Sequence, residues 1–546
     1  MNKNNEQDDD ITPETIAAAE RLVGLTFSDA ERAMMLDGLG KYREAYAALR
    51  AFALDNSVAP ALSFDPRLPG MRFNRKRKPF RLSAQPEVTR PADLEEVAFY
   101  PVTHLAELIR TRQVTAVELA EMYLGRLKRY NPALHCVVTL AEDLGLAQAR
   151  RADKEIAQGR YRGTLHGIPW GAKDILATRG LPTTWGAEPY QGQSFDADAT
   201  VVKRLDKAGA VLLAKLTTGA LAMGDVWFGG KTRNPWDLEE GAGGSSAGPA
   251  SAVAAGLVAF AIGSETSGSI IHPCTRCGVV GLRPTFGRVS RHGAMALSWS
   301  MDKLGPIARY VEDLAVVFAA IYGPDRRDHT VVNLPFNWEP DIRLAGLRFG
   351  YVEERESKPH TGESLAWLRR LGAELVPIDE SLALLRRLGA ELVPIELPDF
   401  PISVMRLHVE GAAAFDELTR SDQDDMLARQ DEIAWPNIFR QNRMIPAVEF
   451  VQASRLRRLL MEAMADLMAE VDLYAAPSFG VNLLLSNLTG HPAVVVPSAY
   501  SAAGKPAGSI TFTGRLYDEA RLLAVAKIYQ DATDFHLRRP VLVDSE

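Results

Sequence analysis

The densest concentration of residues able to do chemistry runs from Gly243 to Ile270. Gly243-Gly244-Ser245-Ser246-Ala247-Gly248 comes first, an apolar stretch follows, and Gly263-Ser264-Glu265-Thr266-Ser267-Gly268-Ser269-Ile270 closes the run. Small residues on both sides of a buried segment let two backbone loops approach closely with serines exposed on each. That arrangement suits an oxyanion-binding site, although a pair of tight turns holding a core helix accounts for the same residues equally well. Other motifs fail on their own chemistry. Asp225-Val226-Trp227-Phe228-Gly229-Gly230-Lys231-Thr232 ends like a phosphate-binding loop, but Asp225 stands where the first Gly belongs, and an acid repels phosphate. Cys274 and Cys277 form a C-x-x-C pair without a second pair at metal spacing, and no histidine falls in an H-E-x-x-H pattern, so no metal is expected. Gly244-Ser245-Ser246-Ala247-Gly248 matches G-x-S-x-G, yet that elbow requires a buried strand directly before it, and Asn234 to Gly241 reads as nothing of the kind. An α/β-hydrolase with Ser246 as nucleophile is therefore a poor second.

The elements that must position these loops lie on either side. From about Leu94, helices alternate with short apolar strands, the pattern of an α/β domain. Thr115-Ala116-Val117-Glu118 is a capping box opening a helix that runs to about Tyr130. Thr200 to Ala208 reads as helix, Ala210 to Ala214 as a buried strand, and Ala252 to Gly263 as a buried helix. A second half from about Ile342 repeats the alternation and ends in a helix, Asp518 to Thr533. Ahead of this body, 1–10 is an acidic tail expected to be disordered, 11–60 a helical hairpin with helices starting at Thr12-Pro13 and Ser28, and 61–93 an extended linker. Within the linker, Arg75-Lys76-Arg77-Lys78 reads as solvated chain lying on an acidic body rather than as a nucleic-acid patch. Glu363 to Asp379 is followed at once by Glu380 to Glu396, identical at 15 of 17 positions. Two copies fall short of the roughly three units that a solenoid needs. The spacing predicts that one copy docks as a helix-strand unit and the other loops outward.

Composition bounds the rest. At 546 residues the chain has room for three or four ordinary domains, and 47% apolar with 24% charged residues is globular composition. A net charge of -7 gives no global case for wrapping nucleic acid. Three cysteines form no disulfide framework, which points to a reducing compartment and makes the cytoplasm the expected location. The N-terminus lacks the positive and apolar regions of a signal peptide, and Ala252 to Gly263 is too short for a membrane span of about 20 residues.

The chain resembles the amidase signature family. The segments that carry the likeness stand in the family's order: Leu165 to Asp174, Thr232 to Asp237, the Gly-Gly-Ser-Ser segment, Gly263 to Ser269, Gly278 to Thr285, Gly287 to Ser290, Asp302 to Pro306 and Asn487 to Pro492. They place one amidase body over residues 94–540. The resemblance implies an α/β fold with one large central mixed β-sheet covered by helices on both faces. It implies a Ser-Ser-Lys triad, with Ser269 as nucleophile, Ser245 as bridging serine after a cis Gly244-Ser245 bond, and Lys173 as base. A serine hydroxyl needs such a base, and a lysine serves only when neutral, which requires its pKa to fall by roughly 3 units through burial. Ile168, Pro169, Trp170 and Ala172 are suited to bury it, whereas taken alone Lys173 would more readily pair with Asp174 or another acid. Backbone N–H groups of Thr266, Ser267, Gly268 and Ser269 would bind the oxyanion. Ala222 and Met223 would lie near the substrate.

The pattern also departs from the family. Ser267 stands at a usual Gly, Ala247 replaces a Gly after the paired serines, and Ile271 replaces a frequent Arg. If 247 or 267 needed a positive φ, a side chain there would cost energy. The implied activity is hydrolysis of a small-molecule carboxylic amide through an acyl-enzyme, without cofactor. A homodimer is admitted, and direct nucleic-acid contact is not expected. The rival within the family is the glutaminase subunit of a tRNA-dependent amidotransferase, whose small helical subunit the N-terminal hairpin faintly resembles. The rival outside it is a catalytically dead binding scaffold, against which the presence of Lys173, Ser245 and Ser269 argues.

Overall fold

The computed structural model describes residues 11–50, 55–58, 62–84, 86–352, 360, 362, 365–366, 376–402 and 409–542. Eleven strands make one mixed sheet: β1 Val137–Leu140, β2 Pro169–Lys173, β3 Val211–Leu216, β4 Phe260–Glu265, β5 Val280–Arg283, β6 Lys303–Ala308, β7 Phe349–Val352, β8 Leu392–Ile395, β9 Leu473–Pro477, β10 Ala493–Tyr500 and β11 Pro506–Gly514. Their order across the sheet is β1-β3-β2-β4-β6-β5-β10-β11-β9-β7-β8. Every residue of β2 to β6 is buried, so both faces of the central sheet are covered. This explains why these strands read as continuous apolar runs rather than as alternation.

One register matters most for function. β2 and β4 run parallel and adjacent, with Ala172 opposite Ile262, so the chain leaves both strands at the same end of the sheet. Lys173 is the last residue of β2, and Ser264 and Glu265 are the last two of β4. The helix between the two serine-rich loops is shorter than expected. It spans Ala247–Ala254, Gly256 follows at φ 63, and Phe260 onward is strand β4. A run buried on all sides carries no periodicity to tell helix from strand, and Gly256 is the one local sign of the break.

The capping box at Thr115 and Glu118 forms as expected and opens the helix Ala116–Leu134. At the N-terminus, helices Pro13–Val23 and Asp29–Arg50 are joined across their faces by Arg32 and Glu20 at 2.8 Å. Thr12 with Thr15 and Ser28 with Glu31 make the reciprocal bonds that start them. The extended segment beyond is strapped to the body. Phe64 lies under the Arg457 guanidinium at 3.8 Å and edge-on to Phe286 at 5.0 Å, while Asn337 bonds both Lys76 O and Lys78 N. Lys78 also reaches Glu339 at 3.4 Å.

The second copy of the duplication docks. Its helix Asp379–Arg387 buries Leu382 and Leu385, and β8 extends the sheet edge in parallel with β7. Of the first copy, most lies outside the described residues, but Leu365 is buried in a core cluster with Leu460 and Met464. Among the described residues no helix is long and apolar enough to cross a membrane.

Candidate active site

Lys173 is fully buried at the end of β2. Its Nζ lies 2.8 Å from Ser245 Oγ, 2.8 Å from Ser264 Oγ and 3.2 Å from Ser246 Oγ. Asp174, the carboxylate nearest in sequence, faces away: it pairs with Lys215 at 2.9 Å and accepts from Thr184. The simple Lys173-Asp174 salt bridge is thereby overturned. Burial drives the Lys173 pKa down to about 7, against the charges of Asp302 and Glu265, which act to raise it.

The hydrogen inventory around the amine suits its neutral form. Ser246 Oγ donates to Ser264 O at 3.1 Å and accepts from Ser264 N at 3.1 Å, so toward Lys173 it offers a lone pair. A neutral amine has two N–H groups, one for Ser246 and one for Ser264, and one lone pair left to accept the Ser245 proton. Ser246 and Ser264 therefore belong to the site, although sequence reasoning assigns neither a role there. Gly263 makes room for this packing, since a Cβ at 263 would stand 2.8 Å from Ser246 Oγ.

Ser245 follows a cis peptide bond from Gly244, as the resemblance implies. Asp225, the residue that excludes a phosphate loop, instead secures the turn before that bond, where its Oδ2 accepts from Gly243 N at 3.1 Å. The residues before the turn do form a strand, Asp237–Gly241, but it is an exposed ribbon with Arg233–Asn234 and not part of the central sheet.

Ser269 is half-buried, and Ser246 N donates to Ser269 O at 3.1 Å, which joins the two serine loops. The Ser269 hydroxyl and the backbone N–H groups of Ser267, Gly268 and Ser269 have no protein partner among the described residues. Gly268 sits at φ 103, a conformation that favours glycine, whereas Ser267 and Ala247 are absent from the positive-φ residues. Both departures from the family pattern are thus accommodated without backbone strain.

Glu265 clamps this loop from behind. Oε2 accepts from Ile270 N at 2.8 Å and Ile271 N at 3.0 Å, while Oε1 accepts from Arg283 Nη1 and Asn487 Nδ2, each at 2.9 Å. Burial alone would raise its pKa, but Arg283 and the Ile271 N–H outweigh that and hold it below the ordinary value. Arg283 thus supplies positive charge to the wall where Ile271 supplies none. Thr266 anchors the front: its hydroxyl donates to Asp302 Oδ1 at 2.6 Å, and its carbonyl accepts from Lys303 at 3.4 Å.

A cavity of about 100 Å³ opens beside Ser264 and Thr266, lined also by Ala222, Ile175, Trp299 and Leu304. Ala222 is at φ 62 and Leu221 at φ 50, left-handed conformations that cost about 1 kcal/mol or more each for residues with a Cβ. Trp435 Nε1 donates to Leu221 O at 3.0 Å and Leu221 N to Trp185 O, which secures the turn. Met223 packs against the core and is not part of the lining. Of Trp170, Trp185, Trp227, Trp236 and Trp299, only Trp299 lines the cavity. Neither this cavity nor a larger groove of about 1050 Å³ between Met71–Asn74 and Arg515–Arg521 is lined by Lys173, Ser245 or Ser269, but the smaller one adjoins them through Ser264, whose Oγ bonds Lys173.

Known proteins share this architecture. The family model described as Amidase matches residues 118–482. The A subunit of glutamyl-tRNA(Gln) amidotransferase from Chloroflexus aurantiacus is 35% identical over 501 residues, taking up 82% of this chain and 100% of the relative. Among solved structures, the peptide amidase from Stenotrophomonas maltophilia has a TM-score of 0.69 at 28% identity, covering 82% of this chain and 99% of its own. The corresponding A subunit from Thermotoga maritima has a TM-score of 0.65 at 25% identity, covering 84% of this chain and 100% of its own. The family match takes in β1 to β9 together with both serine-rich loops, and the chain belongs to the amidase family.

Proposed function

We propose that the protein hydrolyses a small-molecule carboxylic amide with Ser269 as nucleophile, Ser245 as proton relay and Lys173 as base. The observation that carries this reading is a fully buried lysine, without a paired carboxylate among the described residues, hydrogen-bonded to Ser245 and poised near neutrality. Ser269 Oγ attacks the carbonyl carbon as its proton passes to Ser245 and that of Ser245 passes to Lys173 Nζ. The oxygen that becomes negative is met by the free N–H groups of Ser267, Gly268 and Ser269, each such donor being worth about 3 to 4 kcal/mol. The proton then returns through Ser245 to the leaving nitrogen, the C–N bond breaks, and ammonia or an amine departs. Water enters by the same relay and releases the carboxylic acid and free Ser269.

Turnover of a panel of amides (short aliphatic, aryl, glutamine, long-chain acyl) by wild type and Ser269→Ala tests this. The variant is expected to lose about 10⁴-fold or more in kcat, and full activity in it would sink the mechanism.

A second reading, a glutaminase subunit passing ammonia to a partner, is favoured by amidotransferase A subunits that are 35% identical to this chain. Against it, the Chloroflexus relative is matched end to end by 82% of this chain, which thus carries sequence that relative lacks. An N-terminal arm strapped to the body supports a free-standing enzyme. Co-purification with a tRNA-binding partner, and glutamine turnover only in its presence, would reverse that preference.

A further inference from the structure

We infer that Asn56, in the N-terminal arm, is a positioning residue of the active site and that the arm is a working part of it. The amide of Asn56 makes a two-point bond with a single residue 240 positions away: Nδ2 donates to Ala296 O at 2.9 Å, and Ala296 N donates to Oδ1 at 2.7 Å. Asn56 and Ser57 line the cavity that reaches Ser264 and Thr266, together with Ala222 and Asp302, and Ser264 bonds Lys173 at 2.8 Å.

The bond to Ala296 begins a continuous chain. Leu297 N and Ser298 N, the next two amides, donate to Asp302 Oδ2 at 2.8 and 2.9 Å. The other oxygen of Asp302 accepts the Thr266 hydroxyl at 2.6 Å. Thr266 opens the loop whose next three N–H groups are free to meet an oxyanion. Five links therefore run from the arm to the oxyanion loop: Asn56, Ala296, the 297–298 turn, Asp302 and Thr266. Asn56 touches neither nucleophile nor base. Its contribution is to hold the 296–298 turn so that Asp302 keeps both its acceptor pairs aligned. An oxyanion site acts chiefly in the transition state, so loosening its anchor lowers kcat more than it raises KM.

This inference rests on the amide-hydrolysis reading, and its test separates the two. Asn337 is the control, because it straps the same arm to the body by the same kind of two-point bond, to Lys76 and Lys78, away from the cavity beside Ser264 and Thr266. Asn56→Ala and Asn337→Ala are each compared with wild type on an amide that wild type turns over. Asn56→Ala is expected to lower kcat about tenfold with KM within about twofold, as the loss of two neutral hydrogen bonds would. Asn337→Ala is expected to retain wild-type kinetics. Equal kinetics of the two variants, or an unchanged kcat in Asn56→Ala, would overturn the inference. Hydrogen exchange supplies a readout independent of turnover. The Leu297 and Ser298 amides should exchange at least about tenfold faster in Asn56→Ala than in Asn337→Ala. Unchanged protection would overturn the inference even if wild type hydrolysed none of the amides, an outcome that by itself counts only against the amidase reading.

Discussion

Lys173 Nζ and Ser245 Oγ lie 2.8 Å apart in a fully buried site where no carboxylate among the described residues pairs with the lysine. Ser264 and Ser246 take the two N–H groups of the neutral amine, so the proton that Ser245 offers has a lone pair waiting for it. With its pKa pushed down to about 7 by burial, Lys173 as the proposed base is protonated and inactive below that pH and free above it. kcat/KM for amide hydrolysis is therefore expected to rise about tenfold per pH unit up to roughly pH 7 and then level off. A pH-rate profile between 5 and 9 checks this. A flat profile across that range would show that no group with a pKa near 7 acts as the base.

The same burial has a signature in stability. In the unfolded chain Lys173 takes up a proton near 10.5, whereas in the folded protein it does so only near 7. As pH falls from about 10.5 to 7, the unfolded state gains a proton that the native state does not, so the native state loses stability; below 7 both are charged and the effect is constant. Lys173→Met lacks this penalty. Its Tm relative to wild type is expected to climb as pH drops from 10 to 7 and to hold steady below. Thermal melts across that range measure it, and a constant difference from pH 10 to 7 would contradict the assignment.

How much of this site is legible in the sequence depends on the reach of each interaction. The Thr115-Glu118 capping box is local, spans one helical turn, and is readable from residue types alone. Lys173 and Ser245 need the family likeness, because 72 residues separate them: β4, parallel to β2, brings Ser264 to Lys173, and Ser246, bonded to Ser264, carries Ser245 with it. Ser246 and Ser264 escape sequence reading for the same reason: which way a buried hydroxyl turns its lone pairs is set by neighbours distant in sequence. Asp225 invites comparison only with a phosphate loop, and its real partner, Gly243 N, is a backbone group that no motif encodes. The Ala252 to Gly263 run misleads because uniform burial erases periodicity, leaving Gly256 as its single punctuation mark.

Glu265 offers a test of the loop clamp. In Glu265→Gln the shape is kept, but Arg283 becomes a buried, uncompensated charge, which costs about 3 to 5 kcal/mol. The variant is expected to melt lower and to lose kcat, since Ile270 N and Ile271 N keep a weaker acceptor. Removing this negative charge also removes one influence that raises the Lys173 pKa, so the acid limb of the pH-rate profile should move below 7. A limb shifted upward, or a Tm equal to wild type, would contradict the clamp as described.

The tandem repeat gives the last prediction. The docked copy supplies Leu385, fully buried, and strand β8, so the fold requires one helix-strand unit at the sheet edge. Deleting 363–379 joins Gly362 to Glu380 and keeps β8 and the helix from Glu380 onward, while removing Asp379 and the buried Ile378 just ahead of it. The deletion shortens the connection between β7 and the docked helix to about a third of its length, worth about 1 kcal/mol in closure entropy. Against this stands the loss of Leu365 and Ile378, whose burial is worth about 2 to 3 kcal/mol each. The balance is a net cost of about 3 to 5 kcal/mol, so the shortened protein is expected to fold, to retain wild-type kcat/KM, and to melt several degrees lower. Leu385→Asp in the full-length chain, which buries a charge in the docked copy, should by contrast abolish folding at ordinary temperature. If the deletion unfolds the protein while Leu385→Asp is tolerated, the first copy, and not the second, occupies the slot beside β7.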